Sequence, residues 1–526
     1  MADKISTLDI SIRRFDEAHY VGSDIRISED IAAGLAESAL DHYLRIGMEE
    51  NKYPLLQQEA VSIAGGAERF LVSESGHCLI LGWLGDEGCD ESRFKLVGSG
   101  FTVDLPSHMM IRHARADVEA SVKSGAYDYG FIFLGKSPAR SILKQNLLLQ
   151  VTSPSSTFQA PVSPEIVSNK RLLDTVLELI FSVQAHAGKE TAIYSFLSGA
   201  AGRLMIDMFR THVADASAGH VVKRFGARPV SHSLVTVLFG STEPMMIQPI
   251  LFRDANVDCG EWIYVCNSPE DAETVLRQGE LISKLYDVMI TVIILGDNVG
   301  FGAANNIAVG HAASDRIFVI NPDVYPVPAY AALLQKAFST AEFGSSLWGG
   351  LLFYDDHNLM HSGMHFKSDT IVRRNSLNRT NPLSAVPLAH AELLRVEHFD
   401  KGVPFREEHW RLAKQVPAIT GALMAFDKRL FEQLDGFSTR YIYGHYEDAD
   451  LSIRWADRFG PVMINPDMRL VHLEGQGSRP RGDNFRGAYI ANRYFFTALH
   501  EDRLKPQMHA SADQAVSSPS ALVMEE

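Results

Sequence analysis

Cysteine is scarce in this 526-residue chain: there are only Cys78, Cys89, Cys259 and Cys266. No two form a CxxC pair and none sits beside paired histidines, which argues against a structural zinc site. Reduced thiols in a cytosolic protein are the simplest account. Long apolar runs are also missing. No window approaches the roughly 20 residues of a membrane helix, and the longest runs, such as 288–295, have strand length. The opening MADKISTLDISIRRFDE has no apolar core of signal-peptide length. Basic residues are outnumbered, 49 Lys and Arg against 64 Asp and Glu, for a formal net charge of -15. That balance argues against a nucleic-acid backbone as the main partner, because such binding rests on clustered cations. The expectation is a cytoplasmic protein, or one held peripherally at the inner face of a membrane.

What is present is the composition of a folded chain, 46% hydrophobic and 21% charged. The length exceeds one ordinary domain. Residues 1–58 read as a helical region, with Ser28-Glu29-Asp30 capping a helix through IAAGLAESALDHYLRIGMEE. From 59 to 154, short apolar runs punctuated by Gly, Ser, Asp and Pro predict a small antiparallel β-sandwich-like accessory domain. Within it, Trp83 is a core residue or a sugar-stacking platform, and Asp86, Glu87, Asp90 and Glu91 form an acidic turn. Residues 155–229 begin Ser/Pro-rich and continue in amphipathic segments, predicting a linker and helical connector. Residues 504–526 are polar and rich in small side chains, the composition of a disordered tail.

Residues 230–503 alternate strand-like and helix-like segments, which predicts parallel βαβ units and a doubly wound sheet. In DAETVLRQGELISKLYDV, Val275, Leu276, Leu281, Leu285 and Val288 are expected on one buried side. The run GDNVGFGAANNIAVGHAASDRIFVINPDVY holds a glycine-broken loop, a small-residue helix and an apolar strand. That strand ends in Asn321-Pro322-Asp323, and proline stops it by fixing φ and donating no hydrogen bond. A carboxylate past the carboxyl end of such a strand lies where open α/β sheets bind ligands. A plain turn aspartate is the alternative. Glu447, Asp448 and Asp450 begin the helical pattern EDADLSIRWADRF, where capping alone accounts for acidic residues.

Four passages in order, NVGFGAANN, INPDV, AITGALMAFDKRLFEQLDGFSTRYIYGHYEDADLSIR and LVHLEGQGS, resemble family-2 glycosyltransferases of the GT-A fold, in particular their rhamnosyltransferase-like branch. The resemblance covers about residues 231–500. It implies an α/β, Rossmann-like, mostly parallel sheet as the catalytic domain. It also implies an inverting, metal-dependent transfer of a hexosyl or rhamnosyl group from a nucleotide-diphosphate donor to a glycan or lipid-linked acceptor. Bacterial surface-polysaccharide assembly is the implied setting. Asp323 and His472 are then the ligands of Mn²⁺ or Mg²⁺. Asp448 is the general base, with Glu447 second. Phe239, Asn267, Asn298, Gly300, Gly302, Asn305, Asn321, Thr420 and Gly421 are the donor-site candidates. HYLRIGMEENKYP resembles an accessory element of bacterial glycosyltransferases. The sequence departs from the family at Phe239, where a Thr-Tyr-Asn-like segment is usual, and at Asn267, where an aspartate is usual. Those departures motivate the alternative of a catalytically inactive sugar-binding or scaffold protein.

Overall fold

The computed structural model describes residues 20–21, 25–36, 38–42, 64–85, 92–98, 101–118, 128–137, 147–152, 157–184, 190–257, 260–339, 342–355, 357–372, 390–474 and 482–516. The acidic turn at 86–91 and most of the HYLRIGMEENKYP element lie outside them. The first helix, α1 (Ile25–Ala32), starts earlier than expected and contains Ser28-Glu29-Asp30 instead of being capped by them. It ends because Gly34 takes φ +75. The Gly34 amide donates to the Ile31 carbonyl and the Leu35 amide to the Asp30 carbonyl. That is the glycine-terminated stop of a helix end. A short helix, α2 (Ala39–His42), follows.

Among the described residues nine strands build the accessory domain: β1 (Gly65–Ser73), β2 (His77–Leu84), β3 (Arg93–Gly98), β4 (Phe101–Leu105), β5 (Met110–His113), β6 (Gly130–Lys136), β7 (Leu147–Thr152), β8 (Thr157–Val162) and β9 (Pro164–Val167). One sheet runs β5-β6-β2-β1-β9 and the other β4-β3-β7-β8. Phe70, Ile80, Phe94, Phe131 and Leu149 fill the space between them. Residues 157–167, expected in a linker, are therefore the last two strands of the sandwich. Edge strands tolerate proline, so Pro161 in β8 is compatible with pairing to β7. Trp83 is half-buried, over Gly66.

The helices α3 (Asn169–Gln184), α4 (Glu190–Ser198) and α5 (Ala200–Ser217) pack on the outer face of the five-stranded sheet. Leu71, Leu79 and Ile132 of that sheet join Leu172, Val176, Met205 and Phe209 in one cluster. Burial on both faces explains the unbroken apolar run HCLILGWL in β2.

The large sheet contains β10 (Val221–Phe225), β11 (Ser233–Leu238), β12 (Glu261–Cys266), β13 (Met289–Ile294), β14 (Arg316–Ile320), β15 (Val324–Pro326), β16 (Leu347–Phe353), β17 (Leu359–His361), β20 (Lys414–Gln415), β21 (Leu423–Asp427) and β22 (Val462–His472). Outside it, β18 (Met364–Val372) and β19 (His390–His398) form a two-stranded ribbon. The main path is β10-β13-β12-β11-β14-β21-β16-β22-β15. Its β13-β12-β11-β14 part is parallel, the doubly wound order. Beyond β14 parallel and antiparallel pairs mix. Between the strands run α6 (Glu243–Asp254), α7 (Ala272–Tyr286), α8 (Gly300–His311) and α9 (Ala331–Ser339). Later come α10 (Lys428–Gln433), α11 (Glu447–Arg458) and α12 (Asp483–Val516). Alternate residues of β11 to β13 face opposite clusters, Val235, Ile263 and Ile293 on one side, Leu234, Trp262 and Ile290 on the other.

Two expectations are corrected here. On α7 the buried positions are Val275, Gly279, Ile282 and Ser283, while Leu281 and Leu285 are exposed. The stripe follows i, i+4, i+7 from Val275, which leaves 281 and 285 on another face. The tail is also ordered further than its composition suggested. Helix α12 continues to Val516, helped by good helix formers such as the alanines of HASADQAV.

One buried carboxylate ties the amino ends of the parallel strands. Glu261 accepts from Ser233 Oγ and Thr291 Oγ1, both at 2.7 Å, and from the Ala313 amide at 3.0 Å. Glu261→Ala leaves two buried hydroxyls and the Ala313 amide without this acceptor. It is expected to cost about 3 kcal/mol, seen as an earlier urea transition.

Candidate active site

Register decides what meets at the carboxyl end of the sheet. Leu238 pairs with Cys266 and Cys266 with Ile294, so the residues after β11, β12 and β13 leave the sheet side by side. Ile320 pairs with Leu423, which sets Asn321 beside Ala422. Val324 pairs with His472, which brings a strand end from 149 residues downstream against Asp323.

The Asn321-Pro322-Asp323-Val324 turn is held from three sides. The Asn321 amide donates to the Ala422 carbonyl at 3.0 Å, and the Val324 amide returns to the Asn321 carbonyl at 3.2 Å. Gln248, fully buried on α6, donates its amide to the carbonyls of Asn321 at 2.7 Å and Val324 at 3.1 Å. Gln248 was not anticipated, because a glutamine inside a helix carries no sequence signal. The turn directs Asp323 toward His472, with Oδ1 to Nε2 at 3.1 Å. Both side chains are buried, and His472 Nδ1 has no hydrogen-bond partner among the described residues. Nearby, His361 Nδ1 lies 2.9 Å from His398 Nδ1. Burial, then the Lys401 charge, pushes His398 down to about 4, so it is neutral at pH 7.

The 298–300 loop is organised from within. Asn267 donates to Asn298 Oδ1 at 2.9 Å and accepts from the Val299 amide at 2.9 Å. Asn298 Oδ1 also accepts from the Gly300 amide at 2.9 Å. The Asn267 amide, anticipated as a base contact, thus shapes the loop. Gly300 has φ +80, and a Cβ there would come within 2.8 Å of Tyr443 backbone atoms. Only glycine fits. From the connector, His212 on α5 contacts the Asn298 carbonyl at 2.9 Å. Gly302 and Asn305 lie deeper in α8: Gly302 packs on Phe437, and Asn305 bonds the Phe301 carbonyl at 2.9 Å.

The carboxylates stand at the start of α11. Asp448 is half-buried and pinned by two amides: Gly421 donates to Oδ2 at 2.9 Å and Ala449 to Oδ1 at 2.8 Å. Burial raises its pKa above the ordinary aspartate value, and those hydrogen bonds only partly oppose this. Glu447 is buried beside it. Asp450 is a separate matter, a buried partner of His500 at 2.9 Å and Arg454 at 2.7 Å. It belongs to the packing of α11 on α12.

The segment leading into α11 is strained. Tyr443, His445 and Tyr446 have φ of 61, 78 and 74. A non-glycine residue in this region costs of order 1–3 kcal/mol. Asn492 of α12 offsets that cost. Its Oδ1 accepts from the Ile442 amide at 2.8 Å, and its Nδ2 donates to the carbonyls of Ile442 at 2.9 Å and Gly444 at 2.6 Å. Tyr443 Oη donates to Asp174 of α3 at 2.6 Å. Asn492→Ala should speed amide exchange across 442–446 by at least about tenfold, since three bonds are lost.

These groups open onto one cavity of about 720 Å³. It is lined by Asp323, His472, Glu447 and Asp448, and by the anticipated Phe239, Asn267, Asn298, Gly300, Asn321, Thr420 and Gly421. Gly302 and Asn305 are not among its lining residues. Met360, His398, Tyr443, His445, Glu474 and Phe485 line it without having been anticipated. Arg479, Arg481, Arg486 and Arg493 form a basic stretch in an otherwise acidic sequence, and the first two lie outside the described residues. Arg486 is near Asp483, and Arg493 bonds Asp369 and the Leu394 carbonyl.

The donor set suits a hard or borderline divalent cation. One carboxylate with one imidazole fits Mn²⁺ better than Mg²⁺. His472 lines this cavity and keeps one ring nitrogen without a partner among the described residues, which fits the same purpose. No cluster of three or more ligating side chains occurs among the described residues. A cation held by these two side chains would take its remaining ligands from phosphate oxygens and water.

No family model matches the sequence, and no curated protein matches it. Among solved structures, GalNAc-T7 with UDP, GalNAc and Mn²⁺ aligns with 56% of this chain and 53% of its own, at 13% identity and a TM-score of 0.37. The mannosyltransferase PcManGT from Pyrobaculum calidifontis, in complex with GDP-Man and Mn²⁺, aligns with 65% of this chain and 93% of its own, at 13% identity and a TM-score of 0.31. The chain spans about half the length of the first. At these values the site stands on its own geometry.

Proposed function

We propose that this chain is an inverting glycosyltransferase using a nucleotide-diphosphate sugar. The observation carrying this reading is the convergence of Asp323, His472, Glu447 and Asp448 on one cavity at the carboxyl ends of parallel strands. Asp323 and His472 would hold Mn²⁺ or Mg²⁺. When bound, the cation would supply Lewis-acid stabilisation of the departing diphosphate.

The chain's own groups do the rest. Asp448 takes the proton of the acceptor hydroxyl, its carboxylate aimed by the Gly421 and Ala449 amides. The acceptor oxygen bonds to the anomeric carbon as the bond from that carbon to the diphosphate oxygen breaks. One base on the face opposite the leaving group gives inversion in a single displacement. The cavity is large enough to enclose most of a small ligand and limit competing water. Glu447, buried beside Asp448, is the second candidate for the base.

Hexosyl or rhamnosyl transfer to a glycan or lipid-linked acceptor, in surface-polysaccharide assembly, completes the reading. Among the described residues no helix is long and apolar enough to cross a membrane. The experiment is calorimetry and turnover with UDP-, GDP- and dTDP-sugars in Mn²⁺. Binding with turnover supports the proposal, and failure to bind any donor rejects it. Binding without turnover favours the second reading, an inactive sugar-binding protein, to which the use of Asn267 within the 298–300 loop lends weight.

A further inference from the structure

The strained 442–446 segment sets His445 on the cavity wall beside Glu447 and Asp448, and α12 sets Tyr489, itself outside the lining residues, against that ring. His445 is exposed and lines the cavity. Its ring stands perpendicular to that of Tyr489, with centroids 5.2 Å apart. Tyr489 lies on α12 next to Ala488 and one turn beyond Phe485, both of which line the cavity. It remains 42% exposed, unusual for a large aromatic packed between elements. Its inner edge is fixed by Tyr446, whose ring is 5.8 Å away. Tyr446 itself is buried against Phe496.

The three positive-φ positions are filled by Tyr, His and Tyr, where glycine would remove the strain. Tyr443 is accounted for by its bond to Asp174 and Tyr446 by its burial. At His445 the backbone strain serves to hold an exposed ring against Tyr489, two residues before Glu447.

We infer that Tyr489 and His445 form the acceptor subsite, a platform on which the apolar face of a pyranose ring stacks. The inference rests on the glycosyltransferase reading of the cavity and assigns it the side from which the acceptor enters. A sugar ring has an apolar C–H face and polar edges. A preformed aromatic surface with an imidazole beside it matches both. The donor side is lined by Phe239, Asn298 and Asn321, which follow β11, β13 and β14. The platform is carried instead by α12 and the segment before α11. Asn492 bonds the Gly444 carbonyl beside His445 and Tyr446 packs on Tyr489, so both halves are supported before a ligand arrives. Stacking therefore orders little that is not already ordered.

The test uses saturation-transfer NMR on the full chain, with the methyl glycosides of glucose, galactose, N-acetylglucosamine and rhamnose as probes. The wild type should bind at least one glycoside, with saturation passing from aromatic protons to the C–H protons of one sugar face. Tyr489→Phe should keep that binding. Tyr489→Ala should weaken it at least about tenfold, as truncating an aromatic anchor does. His445→Ala should weaken it too, which separates loss of the platform from any local effect of truncating Tyr489. UDP should not displace the glycoside. Glycoside binding equal to wild type in both alanine variants overturns the platform, as does a wild type that binds none of the probes. Failure of the glycosyltransferase reading is seen separately, as a wild type that binds no sugar nucleotide by calorimetry.

Discussion

Asp448→Asn is expected to lower kcat by about three orders of magnitude while leaving donor binding near wild type. The asparagine keeps the size of the side chain and can still accept from Gly421 or Ala449, so the entrance to α11 should hold. What it loses is a basic oxygen. Asp448 works as a base only when ionised. Burial raises its pKa, so the acid limb of kcat/KM should lie above the range of an exposed aspartate, with the rate rising as pH rises through it. The variant should lose that limb from its residual activity. Initial rates across pH 4–9 measure both effects. Wild-type turnover by Asp448→Asn would eliminate Asp448 as the base and pass the role to Glu447, which Glu447→Gln then tests.

Asp323→Ala should be of comparable size, through a different step. It removes the carboxylate that faces His472 across the 3.1 Å contact. The expected loss is about three orders of magnitude in rate, from several kcal/mol of charge stabilisation on the leaving group. Mn²⁺ titration in the presence of UDP, followed by the paramagnetic signal of the free ion, should show no binding to Asp323→Ala. His472→Ala should bind more weakly than wild type yet detectably. Chelation should stop turnover by the wild type, and added Mn²⁺ should restore it. Mn²⁺ binding by Asp323→Ala equal to wild type would remove Asp323 from the site. The variant keeps Gln248 and the Ala422 contact that hold the turn, so lost binding reads as lost ligation.

Much of the site could be anticipated because its residues end strands or begin a helix. Proline after Asn321 marks where β14 must stop, and the acidic start of α11 marks a helix entrance. Both signals are local, as are the alternating segments of 230–503. The corrected expectations came from reading composition as conformation. Ser and Pro from 155 onward suggested a linker, yet two strands run within 157–167, one pairing with β7 and the other with β1. Small polar residues after 503 suggested disorder, yet α12 continues through them. On α7 hydrophobicity alone overstated the buried face, since Leu281 and Leu285 face outward.

By itself, the sequence determined the α/β alternation, the turn at Asn321-Pro322-Asp323 and the acidic entrance to α11. Each follows from the backbone preferences of a few adjacent residues. Only the tertiary structure decided that Asp323 meets His472, because that contact is a matter of strand register between β15 and β22. Only it decided that the connector and the last helix support the site, through His212 on Asn298, Asp174 on Tyr443 and Asn492 on the strained segment. Those partners lie 48 to 269 residues apart along the chain, as the 86 between His212 and Asn298 and the 269 between Asp174 and Tyr443 illustrate. No local pattern encodes such pairs. They arise when separately amphipathic elements bury their apolar faces together and the few polar groups left inside must find partners.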